Sequence, residues 1–175
     1  MKHQWKTVED ALRWAHYWQV KTLIKSPSVQ RSSKSSDPNA LTQLDNVAQA
    51  ALIISMCRRE LPEIDFDVLS LLYTVPGDAA TQARKEFLAA YVGHRIHEQT
   101  GRPKWWTVDV LREWSGAKPL HTQSWWSHNI SVPVRTLYSW AKGRNDKAIY
   151  TVVERDLSRA VDALHDPMRR CRLLD

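Results

Sequence analysis

Apolar residues recur along most of this chain at spacings of three and four, the period of a helix with one buried face, while the strict alternation that marks a strand is rare. Val8, Leu12, Ala15, Trp18/Gln19 and Thr22/Leu23 make one such stripe, and Thr7-Val8-Glu9-Asp10 has the form of a capping box, so a helix is expected over 8–24 with Arg13, His16, Tyr17 and Lys21 off the stripe. Trp5, Trp14 and Trp18 read as core anchors. Leu41, Leu44, Val47/Ala48, Ala51/Leu52, Ile54/Ser55 and Cys57 mark a second helix, capped by Asp37 or Asn39 and stopped by Leu61-Pro62. Its apolar face widens through Ile53, Ile54 and Met56, which suits a central element.

Shorter and longer helices follow. Residues 64–73 carry Asp65 and Asp67 in the first turn as partners of the helix dipole. Over 79–99 the expected core positions are Phe87, Leu88, Tyr91, Val92 and Ile96, with Arg84, Lys85 and Arg95 outward. Thr107 can cap 108–114, which ends at Gly116. A last helix over 148–165 has Ile149, Val152/Val153, Leu157, Ala160/Val161 and Leu164 on one stripe, free to close over its neighbours or to pair with another copy, and Pro167 ends it. The pattern predicts an all-α protein. It divides into an N-terminal helix (1–24), a Ser/basic loop (25–39), a helical body (40–120) and a C-terminal unit (121–175).

Within that last unit, Asn129-Ile130-Ser131-Val132-Pro133-Val134-Arg135-Thr136-Leu137-Tyr138-Ser139-Trp140-Ala141-Lys142-Gly143 carries the signals of both ends of one short helix. Pro133 suits its first position and Gly143 the left-handed position after its last turn. Val134, Leu137 and Trp140/Ala141 form the buried stripe, leaving Arg135, Thr136, Ser139 and Lys142 outward. Upstream, 122–128 can supply a scaffold helix ended by a left-handed Asn129. The pair predicts a helix-turn-helix whose outward guanidinium, hydroxyls and ammonium can read base edges and hold phosphates. Arg144, in the following turn, joins the candidate DNA contacts.

Charge changes this picture by location. The chain is +6 overall with a pI near 9.5, which favours a polyanionic partner. Residues 41–77 hold five acidic against two basic residues, so they are the stretch least suited to nucleic acid and read as core or a protein contact. Lys25–Asn39, with six serines, two prolines and three basic residues, cannot bury a core of its own. Arg31 and Lys34 there, and Arg102 and Lys104 in the aromatic turn before Trp105-Trp106, are further candidate nucleic-acid contacts. The basic tail 168–175 is a phosphate-binding arm or a frayed end.

Other chemistry is excluded by what is missing. Cys57 and Cys171 lie far apart without partners at metal-ligand spacing, and His94 and His97 share no face with a third ligand, so no metal site is expected. There is no Gly-rich phosphate loop and no Gly-x-Ser-x-Gly elbow, so neither an enzyme nor a cofactor is expected. With no apolar run long enough for a membrane span, the chain reads as a protein of the bacterial cytoplasm.

Val8, Trp14-Ala15-x-x-Trp18, the Ser/Pro/Arg-rich stretch 26–36, the helix bearing Asp45, Ala51, Ile53 and Ile54, then Leu71-Leu72-Tyr73 and a late helix-turn-helix with a closing helix occur in an order that resembles the late-gene antitermination proteins of lambdoid phages, Q-type, of the phage 21 and phage 82 group. Residues 78–120 have no counterpart there. The resemblance implies a regulator that binds double-stranded DNA beside a late promoter and joins RNA polymerase paused with its sigma factor. It further implies an extension of the RNA exit channel around nascent RNA, so that terminators are passed. Two other expectations remain: a dimeric helix-turn-helix repressor or activator with 148–165 as its seam, and a phage terminase small subunit.

Overall fold

The structure is a computed structural model and describes residues 4–24, 43–75 and 78–174. Within them lie α1 (Val8–Ile24), α2 (Gln43–Glu60), α3 (Glu63–Tyr73), α4 (Ala79–Thr100), α5 (Lys104–Trp114), α6 (Gln123–Asn129), α7 (Val134–Lys142) and α8 (Ile149–Arg170), and no named strand. The fold is all-α. The Ser/basic loop, with Arg31 and Lys34, and the expected caps Asp37 and Asn39 lie outside the described residues.

Two apolar cores form. The first gathers α1, α2, one face of α3 and the C-terminal half of α8 around Leu12, Ile53, Leu69, Leu164 and Met168. The second gathers α4 to α7, the other face of α3 and the N-terminal half of α8 around Val92, Trp106, Leu111, Leu137 and Val153. Both α3 and α8 belong to the two cores at once. The apolar stripe of α8 is therefore covered by helices of its own chain, which fits the closing role and leaves little of it for another copy.

Several helix boundaries and faces differ from the sequence expectation, each for a local reason. Thr7 Oγ1 accepts from Asp10 N–H at 3.2 Å, and the complete capping box is instead at α4, where Asp78 accepts from Thr81 N–H and the Thr81 hydroxyl accepts in return. α5 starts at Lys104, not after Thr107, whose hydroxyl donates back to the Pro103 carbonyl from inside the first turn. Phe87, expected in the core, is 68% exposed, because the buried face of α4 runs through Leu88, Ala89, Val92, Gly93 and Ile96. Lys85, expected outward, is buried and donates from Nζ to the Ser115 carbonyl at 2.6 Å.

Gly93 explains why α4 and α5 lie so close. A Cβ there would fall 2.7 Å from Val108 Cγ2 and 3.1 Å from its Cα, so only a residue without a side chain lets the two backbones approach. Pro167 does not end α8 either. The helix continues to Arg170, and Cys171 N–H bonds the Pro167 carbonyl at 3.1 Å. Loss of the proline N–H frees only the carbonyl of Ala163, an exposed residue that water can serve. The tail is neither an arm nor frayed through 174: Arg172 turns at φ 55°, Leu173 and Leu174 are buried, and Trp5 N–H donates to the Leu173 carbonyl at 2.9 Å.

Candidate nucleic-acid interface

The C-terminal helix pair is held from beneath by one buried carboxylate. Asp109, on α5, accepts from Leu120 N–H at 2.6 Å, His121 N–H at 2.9 Å and Trp126 Nε1–H at 2.8 Å, so a single side chain fixes the turn before α6 and the only buried ring of α6. Trp106 adds a bond from Nε1 to Gln123 Oε1 at 3.2 Å and meets Trp140 of α7 edge to face. Thr122 caps α6 by accepting from Trp125 N–H. Sequence reasoning missed this anchor because Asp109 looks like any solvated acid of a short helix until the turn folds over it.

The turn between α6 and α7 also differs in detail from expectation. Asn129 closes α6 and the left-handed residue is Ser131, at φ 52°. Pro133 is the N-cap rather than the first helical residue, and its carbonyl accepts from Leu137 N–H at 3.1 Å. Gly143 is extended, at φ −68° and ψ 164°, so it is not there for a left-handed backbone. Its need is space, since a Cβ would collide with the Ser139 carbonyl oxygen that the Gly143 N–H bonds.

α7 buries Leu137 and Ala141 and half-buries Val134 and Trp140. Its opposite face presents Arg135, Tyr138, Ser139 and Lys142, which share one side at helical spacing. Tyr138, 52% exposed, was not among the expected contacts, although its position three residues after Arg135 places it there. Thr136 lies to the flank, half-buried. Among the described residues nothing bonds or pairs with the Arg135 guanidinium. Lys142 is engaged: its Nζ donates to Glu113 Oε1 at 2.7 Å and lies 5.2 Å from the Tyr150 ring centre, and the Glu113 bond holds its pKa above the usual lysine value.

The remaining candidates spread around this helix. Arg144 is exposed in the turn after α7. Arg102 brings its guanidinium 4.3 Å above the Trp140 ring, which ties the α4–α5 turn to the flank of α7. Lys104 folds over the exposed ring of its neighbour Trp105 at 5.3 Å and is not part of the α7 face. His121 stacks on Trp125 with ring centres 3.7 Å apart, and both rings meet Trp126 edge to face.

Among the described residues no group of His, Cys, Asp and Glu side chains is placed to hold a metal ion, and no helix is long and apolar enough to cross a membrane. His97 Nδ1 instead bonds the Arg102 carbonyl. Cys57 is buried, and that burial raises its thiol pKa to about 12, which leaves it inert as a nucleophile. Comparisons with protein-family models, curated proteins and solved structures found no match.

Proposed function

We propose that α6 and α7 form a helix-turn-helix that lays α7 in the major groove of double-stranded DNA, and that the protein is a transcription regulator of the Q antitermination type. One observation carries the DNA reading: a short helix fixed from behind offers Arg135, Tyr138 and Ser139 on a single exposed face beside Arg144. Arg135 is the residue for a guanine edge, because an unpaired guanidinium can donate two parallel hydrogen bonds there. Tyr138 and Ser139 suit either base edges or phosphates. Lys142 reaches phosphate by exchanging Glu113, and a half-exposed pair of this kind is weak enough to exchange. Arg102, held over Trp140 on the flank of α7, would take the phosphate backbone beside the groove.

The wider role rests on the resemblance to the phage antiterminators. It includes loading onto promoter-proximally paused RNA polymerase with its sigma factor, contact with nascent RNA and read-through of terminators. None of these steps needs a catalytic residue, and a basic surface with a narrow channel favours single-stranded RNA over a hairpin. Of the two alternatives, a repressor or activator zipped as a dimer through 148–165 is disfavoured because Ile149, Val152, Val153, Ala160 and Leu164 are buried within the chain.

Two measurements test the proposal. Duplexes selected from a random pool, then titrated by fluorescence anisotropy, should show a preferred site, and Arg135→Ala should weaken that site by ~1–3 kcal/mol with unchanged helix content. Equal affinity and preference in the variant would remove Arg135 and this face from the proposal. Transcription in vitro with holoenzyme, a late promoter and a downstream terminator should then give read-through that depends on the protein. Altered initiation with unchanged termination would instead assign an ordinary repressor or activator.

A further inference from the structure

The outer face of α2 has the composition of an interior. From Asn46 to Cys57 this helix carries no charged residue, whereas a solvated helix face is ordinarily interspersed with charge. Ile53, Ile54, Met56 and Cys57 are spent on the first core. On the opposite side, Leu44, Ala48, Ala51 and Ser55 are all exposed and recur at the four- and three-residue spacing of a coiled-coil seam, with Leu52 beside them. Leu44 is 78% and Leu52 65% exposed, against a protein in which most leucines are buried.

The charges at the two ends say what covers this face. Asp45, Leu52 and Arg59 lie along one flank of the seam, each seven residues from the next, and all three are exposed. If a second α2 lies antiparallel across a two-fold axis, each flank meets itself. With the axis at Leu52, Leu52 faces its own copy, Asp45 faces Arg59 of the second copy, Arg59 faces Asp45, and Ala48 falls beside Ser55. Helix dipoles oppose in the same arrangement, the acidic first turn of one α2 beside the basic last turn of the other. Among the described residues Arg59 reaches its sequence neighbour Glu60, and its side chain is 71% exposed, so turning to a second copy costs little.

We propose that α2 is the seam of an antiparallel homodimer with its two-fold axis at Leu52. The pairing uses no residue of α7 and stands whether or not that helix binds DNA. A single helix pair is a small interface, so the dimer should form at micromolar rather than nanomolar concentration. Small residues at Ala48, Ala51 and Ser55 let the two helices approach closely, and the two copies of Leu52 fill the centre.

Sedimentation of the full chain over a concentration series tests this. The wild-type protein should show a monomer–dimer equilibrium. Leu52→Glu should leave a monomer of unchanged helix content, because it places two carboxylates on the axis. Asp45→Arg alone sets Arg against Arg, and Arg59→Asp alone sets Asp against Asp; each should raise the dimer Kd by at least ~10-fold. Mixed together, these two variants should form a heterodimer, since every facing pair is then opposite in charge. A monomer at every concentration, a dimer that survives Leu52→Glu, or a mixture that pairs no better than its components would each overturn the seam.

Discussion

His16 faces the ring of Tyr73 at 6.1 Å in the first core, with Nε2 lacking a partner among the described residues. Burial, with the nearby charge of Arg84 adding to it, lowers its pKa from 6.5 to about 4, so it folds as the neutral imidazole. Unfolded chains take up the proton first. The stability this difference contributes is therefore complete above pH 6.5 and lost as the pH falls from there to about 4. The total loss is on the order of 3 kcal/mol. Denaturant titrations at neutral pH and near the lower value should show a stability gap that shrinks in His16→Leu; an equal gap in both proteins would assign the acid sensitivity to other groups. His16 was expected off the apolar stripe, and Lys85 outward, because an ionisable side chain reads as solvated until its neighbours show otherwise. Lys85 escapes that rule through one carbonyl, that of Ser115, and burial lowers its pKa in turn.

The α4–α5 pair shows how an element can depend on a missing side chain. Alanine is the better helix former by about 1 kcal/mol, so Gly93→Ala should stabilise α4 if the helix were alone. In the folded protein its Cβ would press on the Val108 backbone, and α5 would have to move. Asp109, the next residue, anchors the start of α6, so the displacement is passed on to the helix pair. A net destabilisation of ~1–3 kcal/mol is expected, read as a lower thermal midpoint; an increase would mean that α5 yields without strain. α7 is set by the same logic of fit. Its short length and half-buried Trp140 would be marginal alone, and Trp106, Arg102 and α8 hold it in place.

Across the whole molecule the two cores are joined by α3 and α8, and the joint carries a polar clasp. Arg159 of α8 bonds both carboxylate oxygens of Asp65 on α3, the Nε contact at 2.9 Å, and also lies 3.2 Å from Asp156. Asp65 is therefore more than the dipole partner its place in a first turn implies. Burial raises the pKa of Asp156, with Arg159 partly opposing it. Removing the arginine would take from Asp65 the cation that bonds both its oxygens and leave Asp156, among the described residues, with only the longer contact to Arg155, at 4.0 Å. Arg159→Ala should cost about 2–3 kcal/mol, less than a fully buried pair because the guanidinium is half exposed. The gap from wild type should narrow as the pH falls and the Asp156 carboxyl, raised above the usual range by its burial, takes up its proton. Since both cores share α3 and α8, tryptophan fluorescence and helix content should still be lost together. Separate transitions would show that the cores are independent units.

Periodicity carries the all-α class, the longer helices α1, α2, α4 and α8 and the inward sides of Leu137 and Ala141, while end signals and turn residues mark the short helices, because the apolar stripe and the caps of a helix are written locally in its own residues. The outward places of Arg135, Ser139 and Lys142 follow from the same local geometry. What periodicity does not carry is anything settled by a neighbour remote in sequence. The grip of Asp109 on α6, the Lys142–Glu113 pair, the burial of His16 and Lys85 and the exposure of Phe87 each depend on which helix lies opposite. The same is true of α2. Its sequence marks it as unusually apolar and suited to the core or to a protein contact, and only the packing decides which side is spent on the core and which remains exposed. Local sequence determines how a helix is made amphipathic; tertiary structure determines what each face meets, because burial is a property of pairs of elements and not of one.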